Sequence, residues 1–161
     1  MFFLGIDPGY GRVGYGIIEE TKKLKRSIEY GVIETPTELP FEDRLVLIRT
    51  AMASILLEYR IQGCGVERLF FRKNLTTGVN VLQARGVILY SLAKENIPIF
   101  EFTPTTVKKL VTGNGKANKV EVQNMVAKML KIQVKIKPDD AADALAISIA
   151  ASIQSKTRMK S

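Results

Sequence analysis

The chain has no histidine and no tryptophan among its 161 residues, and only one cysteine, Cys64. Without histidine there can be no His-type zinc site, no Ser-His or Cys-His nucleophile and no histidine-based nuclease. Any hydrolysis must therefore rest on carboxylates, lysines and metal-activated water. The lone cysteine has no intramolecular disulfide partner, and its apolar setting in "GCGVERLF" reads as a small buried thiol in a reducing compartment. Long apolar runs are also missing. The longest uncharged one, "ALAISIAASI", has ten residues, too few to span a bilayer. No basic segment precedes the first apolar run, and Asp7 interrupts that run early. The expectation is a cytoplasmic protein with no secretory signal and no membrane contact.

What is present is ordinary for a globular protein: 46% hydrophobic and 25% charged residues, which argues against disorder and allows a core without disulfide or metal staples. The net charge of +8 is regional. Eight lysines lie between Lys108 and Lys137 against one acid, Glu121, and Lys156, Arg158 and Lys160 follow near the end. Such a segment suits a polyanion, although a solvated helical face would look similar. Aromatics are not interleaved in it, which argues against a stacking groove for single strands there.

Apolar alternation and glycine turns predict strands in "MFFLGID", "GRVGYGIIEE" and "KRSIEYGVIET", an antiparallel meander. Helical spacing follows over "FEDRLVLIRTAMASILLEYRIQ", then a strand in "GVERLF", a helix over 74–96, and a strand in "IPIFEF". "TPTTVKKLV", "NKVEVQNMVAKMLK" and "PDDAADALAISIAASIQS" read as helices. Five strands and these helices describe an α/β mixed sheet. No repeat or linker divides it, so residues 1–154 read as one domain and the basic 155–161 as a flexible tail. The helix over 74–96 carries two apolar stripes, one with Leu75, Val79, Leu82, Gly86, Leu89 and Ala93, the other with Val81, Ala84, Ile88 and Leu92. Either it is deeply internal or a second subunit covers one stripe.

The acids fall into two groups. Glu19, Glu20, Glu29, Glu34, Glu38, Glu42, Asp43 and Glu58 occupy polar positions and read as solubilising. Asp7, Glu67 and the acids of "PDDAAD" sit against apolar runs, where a charge needs compensation. Asp7 ends a strand that looks central, although "DPGYG" alone would also suit an Asx turn. Glu67 lies near the end of another buried strand. Asp143 shares a helical face with Asp139 and with Asp140, roughly 5–6 Å away between Cβ atoms. Capping explains acids at a helix start, but not the repulsion at Asp143. An all-oxygen carboxylate set suits magnesium or manganese, and two such ions can promote phosphodiester hydrolysis without histidine.

In order, "GIDPG", "VERLFFRKN", "QARGV", "VKKLVTGNGKANKVEVQNMV" and "DAADALAISI" resemble the RuvC family of Holliday-junction resolvases over nearly the whole chain. The resemblance implies a ribonuclease-H-like fold with helices flanking its sheet. It further implies a homodimer that makes paired symmetric nicks in four-way DNA junctions, leaving 5′-phosphate and 3′-hydroxyl ends in recombination and repair. Two Mg²⁺ per site, replaceable by Mn²⁺, would be held by the catalytic carboxylates Asp7, Glu67, Asp140 and Asp143, which sets Asp140 above Asp139. Phe70 matches the aromatic that intrudes among bases at the crossover, with Phe71 left for the core. Lys119 and Lys108 match lysines that contact the cleaved backbone or steady developing charge, with Lys119 counted as catalytic. Lys109 and Lys116 are expected as general phosphate contacts. A branch-migration motor of RuvA and RuvB is a further implied partner. Two departures stand out: "YGRVGYG" where a serine-arginine start is frequent, and Arg68 where glutamine is common, expected to add positive charge beside the metals.

Two other classes share parts of this pattern. An actin-like or sugar-kinase ATPase also has aspartate and glycine after its first strand, but needs a second glycine-rich phosphate loop and about twice the length. A non-catalytic DNA-binding dimer is disfavoured by the four carboxylates.

Overall fold

The computed structural model describes residues 1–68 and 75–158. Alternating apolar residues and glycine-bearing turns make β1 (Phe2–Pro8), β2 (Arg12–Glu20) and β3 (Lys25–Glu34) an antiparallel meander. Next come α1 (Phe41–Glu58), β4 (Ile61–Glu67), α2 (Leu75–Lys94) and β5 (Ile99–Phe102). The chain continues as α3 (Pro104–Thr112), α4 (Lys119–Leu130) and α5 (Asp139–Arg158). The strands form one mixed sheet in the order β3-β2-β1-β4-β5, with β4 parallel to both β1 and β5. This is the five-stranded α/β sheet expected from sequence, and β1 is its centre.

Period-two alternation sorts side chains between the two faces. Leu4, Ile6, Val13 and Ile17 pack with Ile48 and Met52 of α1 and with Ile88 and Leu92 of α2. Phe3 and Ile18 point the other way and join Val107 of α3, Val126 of α4 and Leu145 of α5. Ile6, Ile17 and Ile88 are wholly buried. Burial of each such side chain contributes roughly 2–3 kcal/mol.

Two glycines decide where α5 lies. A Cβ on Gly5 would overlap the backbone carbonyl of Ala144 and the amide of Ser148. One on Gly14 would overlap the carbonyl oxygen of Asp140 and stand 3.0 Å from its Cβ. With no side chain at either position, the helix rests directly on β1 and β2. Its own contact face is correspondingly small, with Ala141, Ala142, Ala144 and Ala146 all buried.

The structure moves two boundaries. α1 stops at Glu58, because Tyr59 takes an extended conformation (φ −116°, ψ 129°), and β4 opens at Ile61 rather than at Gly65. Apolar spacing through Tyr59 imitates a continuing helix, and glycines weaken a strand pattern. Packing overrides that weakness at Gly63, where a Cβ would stand 2.8 Å from the Phe100 ring. The second change is at the end of the chain. α5 runs past the boundary expected at 154/155 and through Arg158, and in this last stretch Lys156 Nζ reaches Glu20 Oε1 at 2.9 Å. Residues 155–158 are thus helical, and 159–161 lie outside the described residues.

In α2 one stripe, Val81, Ala84, Ile88 and Leu92, enters the core. On the other, Val79 and Leu82 are nearly half exposed and Gly86 has open space around it. Among the described residues no helix is long and apolar enough to cross a membrane.

Candidate active site

Strand alternation puts Asp7 with Phe3 and Gly5 on the α5 side of the central strand, opposite Gly14 of β2. One strand over, β4 ends on Glu67, which stands in register with Phe102. The backbone is held there by Arg68, whose N–H donates to the Phe102 carbonyl at 2.8 Å. α5 opens at Asp139, so its first turns carry Asp140 and Asp143. The bare backbone at Gly14 lets those turns arrive over the end of β1.

The carboxylates repel one another in a partly buried setting. A hydrogen bond links Asp7 to Glu67. Burial first, then the charges of Glu67, Asp143 and Asp140, push Asp7 up to about 8. Burial also raises Glu67, with Asp143 adding to the rise and the Asp7 hydrogen bond opposing it. Asp143 is raised by burial against the pull of Lys119, while Asp139 and Asp140 reinforce the rise.

Cations stand at the rim. Arg12, the first residue of β2, pairs through Nε with Asp140. Lys119 Nζ lies 3.0 Å from Asp139 and 3.9 Å from Asp143. The Asn118–Glu121 capping box fixes the start of α4, and with it Lys119. An ammonium at a helix N-terminus opposes the helix dipole, and the two aspartates offset that cost. Asp139 itself is exposed and held below the usual carboxylate range by Lys119 and then by Gln123, whose Nε2 donates at 3.2 Å. Lys108 of α3 completes the group. With Glu67, Lys119 and Asp143 it lines a cavity of about 260 Å³ whose apolar walls include Val107 and Ile147.

Of the residues singled out from sequence, the fold therefore gathers Asp7, Glu67, Asp140, Asp143, Lys119 and Lys108. Lys109 and Lys116 are exposed and do not line the cavity. Phe70 and Phe71 lie outside the described residues. Arg68 corrects an expectation: its Nε is 3.4 Å from Glu101, which also takes Arg85, so its charge faces Glu101 rather than the carboxylate cluster. Sequence reasoning missed Arg12, although strand spacing from Gly14 places it on the α5 face. It also missed the Asp139–Lys119 pair, for which 20 positions of separation leave no sequence signal.

As they stand, no three acids among the described residues are grouped tightly enough to hold one ion. Arg12 and Lys119 engage Asp140 and Asp143 from the rim. The donor chemistry nevertheless fits a divalent cation: every donor is a carboxylate oxygen, and Asp7 and Glu67 have no bonded cation among the described residues.

Comparison with known proteins agrees with this geometry. A family model for crossover junction endodeoxyribonuclease RuvC matches residues 3–151. A crossover junction endodeoxyribonuclease RuvC from Thermotoga petrophila is 44% identical over 158 residues, covering 98% of this chain and 96% of that one. Its counterpart from Halothermothrix orenii is 48% identical over 149 residues, covering 92% and 90%. The solved Thermus thermophilus RuvC in complex with a Holliday junction superposes with a TM-score of 0.93 at 28% identity, covering 98% of this chain and 96% of that one. This chain belongs to the RuvC family of crossover junction endodeoxyribonucleases.

Proposed function

We propose that this chain resolves four-way DNA junctions as a homodimer, each subunit hydrolysing one phosphodiester to leave 5′-phosphate and 3′-hydroxyl ends. The observation that carries the reading is Asp7: a central-strand carboxylate raised to about 8 by burial and three neighbouring acids, with a lysine-bearing cavity beside it. Asp7, Glu67, Asp140 and Asp143 would hold two Mg²⁺, with Mn²⁺ able to substitute. When bound, these ions supply Lewis acidity and an activated water for in-line displacement. Lys119, already tied to Asp139 and near Asp143, would steady charge developing on the scissile phosphate. Lys108, which lines the same cavity, would contact a phosphate, and Lys109 and Lys116 would add backbone contacts further out. Phe70 would enter the crossover.

The dimer reading rests on the half-exposed Val79 and Leu82 of α2, beside the open space at Gly86. A two-fold protein makes two equivalent cuts on a two-fold substrate. A cytoplasmic setting and docking of a RuvA–RuvB motor belong to the same reading.

The test is cleavage by the full chain of a four-way junction beside a linear duplex of the same sequence. Paired symmetric nicks that DNA ligase can reseal, in the junction alone and only with Mg²⁺ or Mn²⁺, are expected. Equal cutting of the duplex, or no cutting with either metal, refutes the proposal.

A further inference from the structure

Arg44 is a charge where the fold gives it no counter-ion. It lies in the first turn of α1, 3% exposed, and forms no ion pair among the described residues. Its Nη2 donates to the backbone carbonyl of Tyr10. The guanidinium also lies over two rings, 4.9 Å from the Tyr10 centroid and 5.4 Å from that of Phe41. Its Nε has no hydrogen-bond partner among the described residues. A buried, under-satisfied cation is costly, and an apolar side chain of the same length would fill the space without that cost.

What Arg44 holds is the turn between β1 and β2. Tyr10 sits three residues after Asp7 and two before Arg12, the residue that pairs with Asp140. The turn is also tied by the Thr35 amide, which donates to the Gly11 carbonyl at 3.0 Å. Glycines on both sides of Tyr10 leave little else to restrain it. Arg44 grips it from the α1 face of the sheet, opposite the face on which α5 delivers Asp140 and Asp143. A guanidinium can donate to a carbonyl while stacking on aromatic rings, a combination that an ammonium meets less well.

We propose that Arg44 is a positioning residue: it clamps the turn at Tyr10 against α1 and so sets the geometry of Asp7 and Arg12 relative to the start of α5. This rests on the resolvase reading above, and the experiment separates the two.

Arg44→Met and Arg44→Lys are made in the full chain. Single-turnover cleavage is measured at saturating junction, junction affinity in EDTA, and deuterium uptake over the peptide containing residues 8–12. The expected result for R44M is a loss of about tenfold or more in the cleavage rate, with affinity kept within about twofold, the signature of misplaced catalytic groups rather than a lost substrate contact. Uptake at the turn should rise by about tenfold while the sheet core is unchanged. R44K should recover less than about half of the lost rate. A cleavage rate within about twofold of wild type in R44M, or in R44K if R44M fails to fold, overturns the proposal, as does a loss of affinity equal to the loss of rate. Uptake needs no cleavage: if wild type cut no junction, the resolvase reading would fall, and unchanged uptake at the turn would separately overturn the clamp.

Discussion

One sheet face carries two carboxylates at opposite ends of β1, Glu20 buried and Asp7 partly buried, and surrounds them in opposite ways. Glu20 ends β2 beside Met1, is 2% exposed, and takes both Lys25 and Lys156. Asp7, roughly 20 Å away along the strand, has Glu67, Asp143 and Asp140 as its electrostatic neighbours. Burial of an acid therefore does not by itself mark a site; the sign of what surrounds it does. The Glu20 end is closed by the protein's own cations, and on the proposed reading the Asp7 end takes a divalent cation instead.

The sharpest way to break this comparison is to neutralise both acids. Asp7→Asn should lower junction cleavage by about 1,000-fold or more while leaving junction affinity within about twofold, because affinity rests on lysines. Glu20→Gln should leave cleavage per folded molecule unchanged. Its cost falls on stability, about 3–5 kcal/mol or a fall of about 10 °C in Tm, since two lysines lose their buried partner. Both outcomes follow from cleavage assays and thermal melts run side by side.

Titration sharpens the contrast next. Burial and the charges of Glu67, Asp143 and Asp140 push Asp7 from the ordinary aspartate value of 3.8, which it keeps when unfolded, up to about 8 when folded. The metal-free protein should therefore be fully relieved of this penalty below about pH 4, lose stability as pH rises between the two values, and carry the whole penalty above about pH 8. Asp7→Asn removes it, so metal-free D7N should melt above wild type at pH 8 and no higher than wild type at pH 4. The smallest effect belongs to Lys156→Ala. Its ammonium is half exposed, so about 1 kcal/mol or less, some 2 °C in Tm, should be lost, with cleavage intact.

The same contrast shows what could be read from sequence. Asp7, Glu67 and the "PDDAAD" acids stood out because each interrupts an apolar run, a local pattern. Glu20 did not, because it looks like one of two surface glutamates. Yet adjacent strand residues face opposite ways, so one of Glu19 and Glu20 had to point inward. Glu29 was misread in the same way: it accepts the hydroxyls of Tyr15 at 2.6 Å and Tyr59 at 2.8 Å, partners 14 and 30 residues away. The glycines after Asp7 look like turn-formers in the sequence, but Gly14 is the seat of α5. The next two residues divide between the faces, with Tyr15 turned to Glu29 on one and Gly16 lying under Leu145 on the other. Helix-on-sheet approach and ion pairs across long separations are tertiary facts, and local periodicity does not carry them.

The central claim is that the Asp7 end, and not the Glu20 end, receives the divalent cation. It is tested most directly by the shift in Tm that Mg²⁺ or Mn²⁺ produces in wild type, D7N and E20Q, because a ligand bound only to the folded state stabilises it. Wild type and E20Q should gain equally and D7N should gain little or nothing. An undiminished gain in D7N, or a gain lost in E20Q, would contradict the account.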